Sequence, residues 1–454
     1  MPRINAAEAA RLLGVSVPTL YAYVSRGLLA SHADGRTRQR GYDADEVRLL
    51  ARRRADAKRA GGVAERSLDW GVPVLESSIT QIVGGRPHYR GRDAIGLAAS
   101  ASLETVAALL WDCPAERLAT QPALAGPELA RWQGWLRDWA DCAPLDRALA
   151  MLPACAARLP RRWAPGEQAR LEVAVALLRA TLAALAGGLP SARPAHLQLA
   201  EAWSLDTRHA ELLRAALVLC ADHELNPSTF AVRCIASTGT HLFGAIAGGL
   251  AALAGPRHGG ETVRARALLD EAARAADLDR YLAIRLAHDE RGEGGRTRLA
   301  GFGHPLYPDG DPRAGALLGM LREHAGLDAT AREALRSALA VLDGVAAATG
   351  ERPTVDFALA LLERVLALPE GAAFTLFAAG RAAGWIAHAL EQQREGKLIR
   401  PRARYVGVDP LDVQPGRHVM PLAPAPNDAL PRDAASIDLK APVPLRPEGG
   451  VSAA

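Results

Sequence analysis

The chain has 454 residues, of which 49% are hydrophobic, 23% charged and 5% aromatic, with a formal net charge of +4. That length accommodates two or three domains with a sizeable core, and the balance excludes a disordered or fibrous chain. Five scattered cysteines (Cys113, Cys142, Cys155, Cys220 and Cys234) form no CxxC pair, which speaks for reduced thiols rather than a disulfide framework or a zinc module.

The charge is unevenly spread. Residues 1–60 carry 12 Lys and Arg against 6 Asp and Glu, whereas the remainder carries 42 against 44. A basic excess confined to one short segment points to a nucleic-acid partner for that segment alone. The start, MPRINAAEAARLL, lacks the features of a secretory signal. No stretch reaches the roughly 18 uninterrupted apolar residues of a membrane span. The expectation is a cytoplasmic protein with no membrane partner.

In chain order, NAAEAARLL (5–13) reads as a short helix with Asn5 as N-cap. Ser16 caps a second helix over SVPTLYAYVSRG, which has Pro18 in its first turn and Gly27 as its stop. Val17, Leu20 and Val24 share one face; Thr19, Tyr23 and Arg26 face outward. LLASHADGRTRQRGY then reads as a hairpin around Asp34-Gly35, carrying Arg36, Arg38 and Arg40. An arginine-rich third helix follows at roughly 43–59. This order resembles the winged helix-turn-helix of MerR-like and excisionase-like DNA-binding domains. Tyr21 replaces the arginine that often follows TL in MerR-like regulators. The resemblance implies DNA contact through Thr19, Tyr23, Arg26, Arg36 and Arg38.

Residues 59–66 form a polar, glycine-containing joint. From 67 to 407 the pattern is helical throughout, apart from ITQIVGGRPHYRG (79–91), which alternates as strands around a glycine turn. Trp132, Trp135 and Trp139 fall on one helix face and read as core. After Gly407 the chain is proline-rich and aperiodic, so 408–454 reads as an extended, disordered tail.

Chemistry-bearing residues recur in glycine-rich or proline-rich settings: His223 in ADHELNPST, His258 in GPRHGG, His304 and Arg313 in GFGHPLYPDGDPRA, and Asp356 in PTVDF. Arg381 follows in FAAGRAAGWIAHALEQ, then Arg400 in RPRARYVG. Several arginines suit a substrate with more than one carboxylate. Histidines suit an oxygen that gains charge during reaction, and a lone carboxylate suits a base. No metal-ligand spacing such as HExxH occurs, so no metal is expected. His88, His209, His241, His288, His324 and His388 read as structural or surface residues.

Together with YRG (89–91) and LLW (109–111), these motifs resemble the citrate synthase family over about three quarters of the chain. The resemblance implies a mainly α, two-domain fold, with residues 67–407 as the synthase domain and its small domain within roughly 258–360. A winged helix-turn-helix at 1–58 precedes it. It implies a homodimer or a multiple of it, and acetyl-CoA as a substrate with no cofactor. It casts Asp356 as the base, His258 as the donor to the thioester oxygen and His304 as the polariser of the oxaloacetate carbonyl. His223, Arg313 and Arg381 match the oxaloacetate pocket, and Arg400 the arginine lent by the partner subunit. Arg298, Leu299, Gly301 and Gly303 match the coenzyme A loop. Cys220, Pro305 and Pro308 stand where relatives often carry histidine, arginine and lysine. The expected reaction gives citrate and CoA. The alternatives are a 2-methylcitrate synthase using propionyl-CoA and a DNA-binding regulator whose synthase domain senses a metabolite.

Overall fold

The computed structural model of the protein describes residues 3–13, 15–25, 29, 31–33, 40–44, 47, 75–119, 126–158, 166–288 and 299–401. The chain divides into Met1–Arg400 and Pro401–Ala454, and every described element belongs to the first. Of the expected third helix at roughly 43–59, the described residues are Asp43, which ends a strand instead, and Ala44 and Val47, which are buried; the rest lies outside them. The 59–66 joint and the 408–454 tail lie outside them entirely.

At the N-terminus, Asn5 and Glu8 form a reciprocal capping box. The Glu8 amide donates to Asn5 Oδ1 at 2.9 Å and the Asn5 amide to Glu8 Oε2 at 3.3 Å. This starts the helix Ala6–Leu13; Ser16 caps Val17–Ser25 through the Thr19 amide at 3.4 Å. Ala9, Ala10, Leu13, Leu20, Leu29, Tyr42 and Val47 close a small core. The expected hairpin pairs His32–Ala33 with Arg40–Asp43, and Arg3–Ile4 adds a third antiparallel strand on the other side of Arg40–Asp43.

The rest is mainly α, as expected. Its one sheet among the described residues is the meander Thr80–Val83, Arg86–Tyr89 and Arg92–Asp93, turning at Gly84-Gly85. Tyr89 is fully buried and donates its hydroxyl to the Val218 carbonyl at 3.1 Å, which pins the meander to the end of the helix Thr207–Leu219. Trp132 is buried, and Trp135 and Trp139 pack against the same core. No helix among the described residues is long and apolar enough to cross a membrane.

The longest helix among the described residues, Ala372–Glu395, is buried along almost its whole length. From Ala372 to Leu390 only Arg381 and His388 are ionisable, so this stretch is apolar on nearly every side and lies inside the protein. Its close approach to the turn after Leu219 depends on Gly384, whose amide donates to the Ala221 carbonyl at 2.9 Å. A Cβ at Gly384 would collide with that carbonyl and with the Asp222 side chain. One turn earlier, Arg381 points from the same helix toward Cys220. Gly384→Ala is therefore expected to cost about 1–3 kcal/mol, because the obstacle is backbone and cannot rotate away. Urea unfolding of the full chain measures it; a wild-type midpoint would show that the two segments separate freely.

Candidate functional site

Helix ends assemble the site. The helix Thr207–Leu219 delivers Cys220 to Glu224, and Asn226 caps Pro227–Ser237 through the Thr229 amide at 3.2 Å. His258 lies between Leu242–Leu253 and Glu261–Arg274. His304 precedes Pro312–Glu323, Asp356 is the second residue of Val355–Val365, and Arg381 sits within Ala372–Glu395. Such ends leave backbone groups and polar side chains free of helical pairing.

His223 lies at the centre. Its Nε2 shares a hydrogen bond of 2.8 Å with the Tyr307 hydroxyl, and its ring meets His304 edge-on at 5.3 Å between centroids. Burial drives its pKa well below the usual 6.5, and the charges of Arg313 and Arg381 add to the effect. His223 is thus a neutral ring. The next residue, Glu224, holds a φ of 51°, and its carboxylate accepts from the Ile82 amide at 3.1 Å. A non-glycine residue in this left-handed region carries strain that the surrounding packing must hold.

His258 is likewise kept neutral, its pKa lowered to about 3 by burial and then by Arg381. Its Nε2 is 2.7 Å from Ser228 Oγ, which also receives Trp385 Nε1–H at 3.1 Å. Ser228 has one proton and two acceptors in range, His258 Nε2 and Asn226 Oδ1, each at 2.7 Å. When the proton turns to His258, the ring carries its own on Nδ1. At His304, Nδ1 accepts from the Leu306 amide at 3.2 Å, so Nε2 bears the proton and is the donor.

Arg313 and Arg381 are buried. Arg313 grips Asp311 in a fork, Nε to Oδ1 at 3.0 Å and Nη2 to Oδ2 at 2.8 Å, and lies over the Tyr307 ring. Arg381 donates through Nε to the Cys220 carbonyl at 2.9 Å and lies over Phe377. Asp356 accepts from the Thr354 hydroxyl at 3.3 Å on Oδ2, while its buried Oδ1 has no partner. Burial, then the charge of Glu261, pushes its pKa up to about 7, against the opposing pull of Arg313. A carboxyl in that range holds and releases a proton near neutrality.

Leu299 is buried, and Gly301 and Gly303 both have positive φ. The Gly303 amide donates to the Arg352 carbonyl at 2.9 Å and the Thr354 amide to the Gly301 carbonyl at 2.8 Å. The loop is thereby strapped to the segment leading into Asp356. Arg400 is exposed, and Thr19 is half-buried with its hydroxyl 2.8 Å from Ser16 Oγ. Arg298, Arg36 and Arg38 lie outside the described residues, as do Arg26 and the side chain of Tyr23. His388, read as structural, is buried between Asp222 and Arg233.

Sequence reasoning missed Ser228, Tyr307, Asp311, Thr354 and Glu261. For Asp311 a signal existed, since Asp-Pro-Arg places an N-cap before a proline at the first helical position. Tyr307 lies 84 residues from His223, and no local pattern announces that pairing.

The family model for citrate synthase, C-terminal domain, matches residues 67–402, and a helix-turn-helix domain model matches residues 4–55. Citrate synthase 2 of Bacillus subtilis is 29% identical over 76% of this chain and 96% of its own length. Citrate synthase of Haloferax volcanii is 38% identical over 45% of this chain; the chain spans about half the length of that relative (52%) and of the mycobacterial ones it matches (53%). A solved ternary complex of carboxymethyl coenzyme A and oxaloacetate with citrate synthase from Thermoplasma acidophilum is similar with a TM-score of 0.59 and 25% identity, over 78% of this chain and 97% of that one. With three quarters of its length matched by one model, the chain belongs to the citrate synthase family and carries a helix-turn-helix domain at its N-terminus.

Proposed function

We propose that the protein condenses acetyl-CoA with oxaloacetate and water, giving citrate and CoA. The observation that carries this reading is the carboxyl of Asp356, raised to about 7 with one oxygen unpartnered, in the field of a buried arginine. Asp356 takes a proton from the acetyl methyl group. His258, neutral and donating from Nδ1 when Ser228 turns its proton to Nε2, hydrogen-bonds the thioester oxygen as it becomes an enol or enolate. The carbon nucleophile attacks the oxaloacetate carbonyl, whose oxygen accepts from His304 Nε2–H and takes that proton as the new C–C bond forms; the proton that Asp356 took from the methyl group makes good the one His304 gives up, by way of solvent. Hydrolysis of the resulting thioester releases CoA. Arg313 and Arg381 hold the two carboxylates with His223, and Arg298, Leu299, Gly301 and Gly303 receive coenzyme A.

The electrostatics favour this division of labour. An aspartate at its ordinary pKa of about 3.9 is a weak base for a thioester α-proton. Desolvation strengthens the base, and neutral imidazoles donate hydrogen bonds without adding cations to a site that already holds two buried arginines. Asp356 must be ionised to act, so turnover is expected to rise with pH through about 7 and to level off above it. Thiol release by the full chain with acetyl-CoA and propionyl-CoA tests the reading. Asp356→Ala should lower kcat by roughly 10²- to 10⁴-fold while oxaloacetate still binds. A better rate with propionyl-CoA would make the enzyme a 2-methylcitrate synthase, and near-normal turnover in the variant would mean another base.

We also infer a homodimer or a multiple of it, since Arg400, exposed in the single chain, completes the oxaloacetate pocket only if a second copy presents it. Sedimentation is expected to give twice the 47.9 kDa of one chain, or a multiple of that. A monomer with full activity would remove Arg400 from the site.

The helix-turn-helix domain and its basic excess support a second role in DNA binding, with Thr19, Tyr23, Arg26, Arg36 and Arg38 as contacts. Phosphate contacts release counterions, so affinity should fall steeply as salt rises. Absent or salt-independent binding in a gel-shift titration would end this reading.

A further inference from the structure

Glu261 opens the helix Glu261–Arg274, three residues after His258, and nothing in the scheme above employs it. Its Oε1 accepts the Gly301 amide at 3.0 Å across 40 residues of sequence, and its Oε2 takes Arg264 Nη1 at 3.4 Å. Its own amide donates to the His258 carbonyl at 3.0 Å. Gly301 is wedged in place: its φ is 82°, and a Cβ there would meet Phe357 Cβ at 3.0 Å and Ala265 Cβ at 3.1 Å. From Gly301 the contacts continue, because its carbonyl accepts from the Thr354 amide and the Thr354 hydroxyl donates to Asp356.

We propose that Glu261 is a positioning residue for proton abstraction: by holding the Gly301 amide it locks His258, the Leu299–Gly303 loop, Thr354 and Asp356 into one cluster. The proposal rests on the condensation reading for its chemical purpose, though the coupling itself does not. Geometry supplies the lock, and charge adds a second effect. The groups facing Asp356 are Glu261 from its own helix, Asp311 and Arg313 from the start of Pro312–Glu323, and Cys220 from the end of Thr207–Leu219. After burial, Glu261 exerts the strongest of these influences and favours the protonated acid. One carboxylate thus both aims the base and strengthens it.

Two substitutions separate the effects. Glu261→Gln retains an oxygen for the Gly301 amide and loses the charge; Glu261→Ala loses both. In the full-length, unliganded protein, amide hydrogen exchange of residues 299–303 should quicken in Glu261→Ala and stay near wild type in Glu261→Gln. In turnover, Glu261→Gln should move the acid limb of the kcat profile to lower pH. Glu261→Ala should in addition lower kcat about tenfold or more, as misplacing a reacting group does, and raise KM for the acyl-CoA. Unchanged exchange in Glu261→Ala overturns the proposal, and so does an unmoved acid limb in Glu261→Gln. A wild-type chain that condenses nothing, with the loop still loosened in Glu261→Ala, sinks the condensation reading and leaves the lock standing.

Discussion

One buried carboxylate, that of Asp311, holds the site together. Its side chain is fully enclosed and accepts four hydrogen bonds: the Arg313 amide, Arg313 Nε and Nη2, and the Val355 amide. A buried ion pair is tolerable when its remaining lone pairs are matched, and on the Asp311 side they are. The same oxygens also cap Pro312–Glu323 and fix the first residue of the helix that carries Asp356. The Arg313 guanidinium and the Asp356 carboxyl are thereby placed by a single group.

Around that anchor, burial sorts the titratable groups by type. It makes imidazoles reluctant to gain a proton, as at His223 and His258, and makes a carboxyl reluctant to lose one, as at Asp356. The arginines remain cations because their intrinsic affinity for the proton exceeds what burial removes. Asp222 is the exception that fits the rule. Burial alone would raise it, yet His388 and Arg381 bring it down, and His388 is in turn oriented by Arg233. Each acid keeps one oxygen without a hydrogen-bond partner, but charged and donating neighbours outweigh burial at Asp222 and do not at Asp356.

Much of this was legible in the sequence because it is local. Asn5 and Ser16 announce their helices through side chains that reach three residues ahead. The glycine turn at Gly84-Gly85 sits between runs of strand alternation, and the His, Arg and Asp motifs carry the family resemblance on their own. What escaped was long-range or too short to carry a period. The strand Arg3–Ile4 has two residues, too few for alternation to register. The bonds from Glu261 to Gly301 and from Ser228 to His258 join residues 40 and 30 apart, and only the packing of helices brings them together. Cys220 read as a departure from its relatives; in the fold its side chain is buried and its carbonyl receives Arg381.

The unmatched oxygen of Asp356 bears on how the chain folds as well as on what it does. In an unfolded chain this carboxyl would titrate near 3.8, and in the folded protein it does so near 7. Between those values the native state holds the extra proton, so stability declines as pH rises through the interval and then stays flat. Three units correspond to a burden on the order of 4 kcal/mol borne by the ionised enzyme, a sizeable fraction of what keeps a domain folded. The ionised form of Asp356 is therefore the least comfortable one in this fold, and mild acid relieves the tension by returning the proton.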